Sequence, residues 1–239
     1  MITSLIAFYP FFRGKLTLKF CRPRFHTALI KRIVLCGSPN FLNNIAGRIT
    51  SILMNMILLR MGGPAAVSVY GILMYADGFI QPLLYGMCDS LQPAVGYNWG
   101  AGNYKRVTAI EKRCYGASAL LSLTLAAVLF FFPGPVARLF ISSADSGLYE
   151  MALPALSLFA MTYITRWLSF ATQSFMSAIE RPGFAAMISL SVALVLPVLV
   201  IVVLWPMGLT GLWLNFPCSA LLAGILSLWI LHRNRKLSL

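Results

Sequence analysis

Apolar residues run through this chain in long blocks, broken at short intervals by glycine, proline or clustered lysine and arginine. Six blocks stand out, at about 40–61, 67–88, 115–132, 148–178, 184–205 and 209–231. The breaks carry turn chemistry: Gly62-Gly63-Pro64, Pro133-Gly134-Pro135 and Arg181-Pro182-Gly183. About 20 consecutive apolar residues is the length at which an α-helix crosses a bilayer. The pattern therefore predicts an all-α integral membrane protein with one bundle of six transmembrane helices over 38–232. A basic connector is expected over 1–37 and a short basic tail over 233–239. The first twelve residues are apolar and uncharged, and Arg13, Lys15 and Lys19 follow them. A signal peptide places its cations before the apolar core, and twelve residues are too few to span. This stretch reads as the end of a preceding span.

Composition agrees: of 239 residues 59% are hydrophobic and 10% charged, where soluble domains carry about 25% charged residues. The net charge of +13 does not point to nucleic acid, because the cations gather at the ends of the apolar blocks. Arg13, Lys15, Lys19, Arg22, Arg24, Lys31 and Arg32 precede the first span. Lys105, Arg106, Lys112 and Arg113 lie between spans two and three, Arg181 between four and five, and Arg233, Arg235 and Lys236 after six. If spans alternate, all of these share one side, and the opposite side has only Arg60 and Arg138. Cytoplasmic loops carry the excess of lysine and arginine, so both termini are expected in the cytoplasm. The cysteines (Cys21, Cys36, Cys88, Cys114, Cys218) are scattered, as are His26 and His232, with no metal-ligand spacing. Buried, inert thiols are the expectation, and neither a metal nor a cofactor is implied.

Charge at bilayer depth costs at least ~2.5 kcal/mol and needs a partner or water. Arg48 lies roughly 12 Å into span one and Asp77 roughly 15 Å into span two, at 1.5 Å per residue; Arg166 is near the middle of span four. Two readings stand side by side. In one, Asp77 and both arginines face water and substrate in a central cavity. In the other, Arg48 and Asp77 form a permanent pair between adjacent helices, a clamp rather than a proton carrier. Asn43, Asn44 and Asn55 in span one, Gln81 in span two, Thr172 and Gln173 in span four and Asn215 in span six either line such a cavity or bond helix to helix. Spans one, two and four carry most of these groups and are expected to face the cavity. Spans three and five, nearly pure hydrocarbon, are expected to face lipid. Pro82, Pro154, Pro197 and Pro217 mark places where helices can bend.

The Gly- and Asn-rich run from Gln92 to Val107, closing on Lys105 and Arg106, predicts a tight cytoplasmic loop. It also resembles the loop after the second span in the C-terminal half of MATE (multidrug and toxic compound extrusion) transporters. Gln92, Pro93, Gly96, Tyr97, Asn98, Gly100, Ala101 and Arg106 carry the likeness. Further matches are the Gly37-Ser38-Pro39 approach to span one, Gly62-Gly63-Pro64-Ala65-Ala66-Val67 at the turn after it, and Tyr70-Gly71-Ile72 with Asp77-Gly78-Phe79-Ile80 in span two. Arg13-Gly14-Lys15 resembles the connector between the two halves of the family.

The resemblance implies one six-helix half of a two-bundle, twelve-span plasma-membrane transporter, and not an enzyme. It implies efflux of organic cations and drugs coupled to Na⁺ or H⁺ antiport. The implied partners are the lipid bilayer, a small amphiphilic or cationic substrate, and either a missing N-terminal half or a second copy; nucleic acid is not among them. The family's usual coupling acids have no counterpart here, since the position near Gly47-Arg48 holds no acid. A flippase-like transporter of lipid-linked substrates and an inactive truncated product are the alternatives.

Overall fold

The computed structural model describes residues 26–141 and 146–235. Contacts divide the chain into two units, Met1–Val34 and Leu35–Leu239. Of the first, residues 26–34 are described, and they are helical from Thr27. The half-span read over the first twelve residues lies outside the described residues, as do the connector's cations up to Arg24. The second unit carries the helical bundle.

Every element among the described residues is helical. Helix α1 (Thr27–Ser90) is broken at Gly63, whose φ of 66° and ψ of −165° lie outside the helical region. Glycine adopts a positive φ without steric cost, and the chain reverses there. The Asn43 amide consequently reaches the Tyr85 hydroxyl at 3.4 Å, although 42 residues separate them. Helix α2 (Gln92–Gly100) follows, then α3 (Tyr104–Phe131), α4 (Pro133–Arg138), α5 (Ser146–Ala160) and α6 (Tyr163–Ala178). Next come α7 (Pro182–Leu190), a π-helical turn (Ser191–Val195), α8 (Leu196–Leu204), a 3₁₀ turn (Trp205–Met207) and α9 (Gly208–Arg235). Gly208, at φ 62°, makes the second sharp reversal, and it returns Asn234 to the side chain of Arg181.

Three apolar helical stretches are long enough to cross a membrane: Phe41–Gly100, Tyr104–Phe131 and Pro182–Asn234. The pair α5 and α6, bent by 48°, makes a fourth if counted as one span. The break falls between Ala160 and Tyr163, inside the span expected over 148–178 and past Pro154. The Gly-rich run departs from expectation. It is helical from Gln92 to Gly100, with proline in the first turn where its missing N–H costs nothing. Only Ala101–Asn103 is a turn, with Gly102 at φ 73°.

Burial is reversed relative to a water-soluble protein. Phe79, Phe131 and Val203 are each more than 70% exposed, while Ser118, Ser122, Thr172 and Ser227 are completely buried. Lipid solvates the first group, and the second must find partners inside. Ser118 and Ser227 donate to carbonyls four residues back in their own helices, and Ser122 donates to the Tyr163 carbonyl at 2.5 Å. The core joins Leu58, Val69 and Leu73 of α1 to Leu156, Phe159 and Phe170 of the bent pair, with Phe159 edge-on to Phe216 of α9.

Pro197 explains the π-helical turn. It has no N–H, so the Ala193 carbonyl four residues earlier loses its helical donor. The backbone widens, with the Leu196 N–H reaching Ser191 instead. Thr50 of α1 then donates to the Ala193 carbonyl at 2.5 Å. Thr50→Val is expected to lower stability by about 1 kcal/mol, the scale of an interhelical hydrogen bond in a membrane. Thr50→Ser keeps the donor and is expected to melt with the wild type. Thermal unfolding in detergent, followed by tryptophan fluorescence, checks both.

Candidate functional site

Asp77 sits on the second arm of α1, 8% exposed and facing the start of α6. The bend between α5 and α6 brings two α6 side chains onto it. Tyr163 donates its hydroxyl proton to Oδ1 at 2.5 Å. Arg166 donates from Nη1 to Oδ1 at 3.1 Å and from Nη2 to Oδ2 at 3.5 Å. Residues three apart share a helix face, which is why one turn of α6 supplies both donors. The guanidinium also lies over the Phe170 ring at 5.2 Å, adding a cation–π contact. Phe170 in turn stacks on Tyr85, with ring centroids 4.3 Å apart. The acid thus has a cation, a phenol and an aromatic wall around it.

The partner of Asp77 is Arg166 and not Arg48, as the paired reading expected. Arg48 is exposed, and no described carboxylate forms an ion pair with it. It faces a cavity of about 540 Å³ that Asp77 and Arg166 also line, within the size range of small-molecule sites. Asn43, Asn44 and Gln81 lie on the same wall. Gln173 does not: it is 4% exposed and does not line the cavity. Spans one, two and four do contribute, but so do later elements. Val192, Ala193 and Pro197, from the stretch expected to face lipid, line the cavity, as do Asn215 and Ser219 of α9. Ser219 donates to Asn215 Oδ1 at 3.0 Å. Residues of α3 do not line it. Thr162, in the bend, lines this cavity, and its hydroxyl is buried without a protein partner among the described residues.

The residues of the Gly-rich run are brought together elsewhere, at the end of the bundle where α2, α3, α6 and α9 meet. Gln92 donates to Asp89 Oδ1 at 2.8 Å and to Ser174 Oγ at 3.0 Å, fixing α2 to α6. Gly96 passes the Ala178 carbonyl, where an added Cβ would stand 3.4 Å away. Asn98 is buried and donates to Ala94, and Asn103 and Arg106 shape the turn into α3. Pro93 starts the helix, Gly100 and Ala101 end it, and Tyr97 stays 77% exposed. Cys88 and Cys114, far apart in sequence, are packed into one cluster with Ala171 beside this junction.

Apolar side chains turned outward and charges gathered around an internal cavity define an all-helical integral membrane protein with a polar interior site. The MatE family model matches residues 39–203, and the chain belongs to that family of multi-pass plasma-membrane transporters, which are not enzymes. It is 24% identical over 219 residues to the multidrug export protein MepA of Staphylococcus aureus strain NCTC 8325 / PS 47, covering 91% of this chain and 47% of that protein. A crystal structure of MATE in complex with MaL6 superposes with a TM-score of 0.89 at 19% identity, over 99% of this chain and 54% of the other. An outward-facing multidrug resistance MATE family transporter of the MOP superfamily gives 0.88 at 20% identity, with the same coverage. The chain thus spans about half the length of the relatives it matches.

Proposed function

We propose that this chain forms the C-terminal half of a multidrug exporter that moves organic cations and drugs by antiport against Na⁺ or H⁺. The observation that carries the reading is the 540 Å³ polar cavity with the Asp77–Arg166–Tyr163 cluster on its wall. Of the apolar stretches, Phe41–Gly100 is reversed at Gly63 and Pro182–Asn234 at Gly208. Each of these supplies two spans, and with α3 and the bent pair the bundle has six. The cations of the α2–α3 turn, the α6–α7 turn and the end of α9 support a cytoplasmic position for both ends of the bundle.

The charge balance of the wall says what the other half must bring. Arg166 and Tyr163 already occupy the Asp77 carboxylate, so Arg48 leaves the wall positive. An organic cation needs negative charge opposite, and a coupling ion needs an acid that is not clamped. Both belong on the complementary bundle, whether an N-terminal half or a second copy. Ethidium efflux from liposomes under a Na⁺ or H⁺ gradient tests this. Export is expected when the chain is reconstituted with the N-terminal bundle of MepA or as a dimer, and none from monomers alone. Export by the monomer contradicts the proposal.

A further inference from the structure

A second cavity, of about 270 Å³, opens at the cation-rich end of the bundle, away from the Asp77 site. Its floor is apolar: Val107 and Ile179 are almost fully buried, and Phe175 and Leu231 complete it. On its rim Trp99 and Tyr104 meet edge to face at 5.1 Å. Among the described residues two cations, Lys105 and Arg181, line it with one carboxylate, Glu111.

Arg181 is placed there by the backbone. At the end of α6, Glu180 takes φ 57°, a left-handed conformation usually left to glycine. The Arg181 N–H then reaches back to the Met176 carbonyl at 2.9 Å. Its guanidinium donates to Asn234 Oδ1. Asn234 is itself buried and anchored through its own amide to the Ile230 carbonyl at 2.9 Å. One of five guanidinium N–H donors is used in this way. A guanidinium so aimed fits a phosphate or carboxylate through paired hydrogen bonds.

We propose that this cavity binds the phosphate headgroup of an anionic lipid, with Lys105 and Arg181 on the phosphate and the first part of an acyl chain along Val107, Phe175 and Ile179. The volume falls below that of a drug-sized cleft, about 300–1,000 Å³, and suits one headgroup with the start of its chain. The half-exposed Trp99–Tyr104 pair suits the headgroup level of a bilayer. This site is separate from the export reading, and its failure would leave the efflux result untouched.

Native mass spectrometry of the full chain in detergent, offered phosphatidylglycerol and phosphatidylcholine with matched acyl chains, tests it. Wild type is expected to retain phosphatidylglycerol about tenfold better, because both lipids offer the phosphodiester but only phosphatidylcholine brings a quaternary ammonium, a like charge beside Lys105 and Arg181. Lys105→Gln and Arg181→Gln should each bring the preference to within about twofold. Lys112→Gln, an exposed cation of α3 outside the cavity, should keep it. Should Arg181→Gln fail to fold, Lys105→Gln on the exposed rim decides alone. A preference that survives Lys105→Gln, or that falls equally in Lys112→Gln, overturns the site. Displacement of the lipid by excess inorganic phosphate assigns the pocket to a free anion and overturns the lipid reading.

Discussion

Arg166→Gln is expected to cost the bundle about 3 kcal/mol or more, because it leaves the buried Asp77 carboxylate without its cation. The pair is largely withdrawn from solvent, at 16% and 12% side-chain exposure. The hydroxyl of Tyr163 remains, but one neutral donor does not replace a charge. Removing both charges has a different consequence. In Asp77→Asn with Arg166→Gln, two amides of similar shape face each other beside Tyr163, and no charge is stranded. The double variant is expected within about 1 kcal/mol of the wild type. Thermal unfolding in detergent of the two single variants and the double gives the coupling directly. If Arg166→Gln melts with the wild type, the pair is solvated by the cavity and does not clamp α1 to α6.

Gly211→Ala is expected to have the next largest effect. A Cβ built at Gly211 stands 2.4 Å from the Leu204 carbonyl oxygen and 3.0 Å from Met207 Cβ. The clash is with backbone at the reversal between α8 and α9, which cannot swing aside as a flexible side chain would. Overpacking of this kind typically costs about 1–3 kcal/mol. The same methyl at Gly224 meets Thr165 Cβ at 3.6 Å, an ordinary contact, and there the gain in helix propensity is expected to leave stability unchanged or slightly raised. The two alanine variants should therefore separate in melting temperature; equal melting would mean that the α8–α9 turn yields freely.

Local chemistry made the reversals legible in the sequence. Gly62-Gly63-Pro64 combines a residue free to take positive φ with one that cannot continue a ladder, and the break falls at Gly63. Pro197 likewise announced a disturbed helix, although not that Thr50 would satisfy the carbonyl it frees. The bend between α5 and α6 was hidden because Met161 and Thr162 carry no turn signal. Its trace is the length of the apolar block from 148 to 178, more than a bilayer needs. That bend is also why the partner of Asp77 was missed. Depth alone favoured Arg48, on the neighbouring arm. Which of two mid-depth arginines reaches the acid depends on the direction in which α6 leaves the bend. Tyr163 shares a helix face with Arg166, and that spacing was the available signal for it. The cavity contribution of Val192 and Ala193 left no signal, because a widened turn exposes backbone and not a polar side chain.

The polar cavity is tested most directly by cysteine accessibility. In a chain whose native cysteines are replaced by serine and which is paired with the complementary bundle, Asn44→Cys on the cavity wall and Val203→Cys on the outward apolar face report two environments. A membrane-impermeant maleimide added to both sides of inverted and right-side-out vesicles should label position 44 and not position 203, and ethidium should slow the labelling. Equal resistance at the two positions, or labelling of position 44 that ethidium leaves unchanged, would contradict a water-filled, substrate-binding cavity.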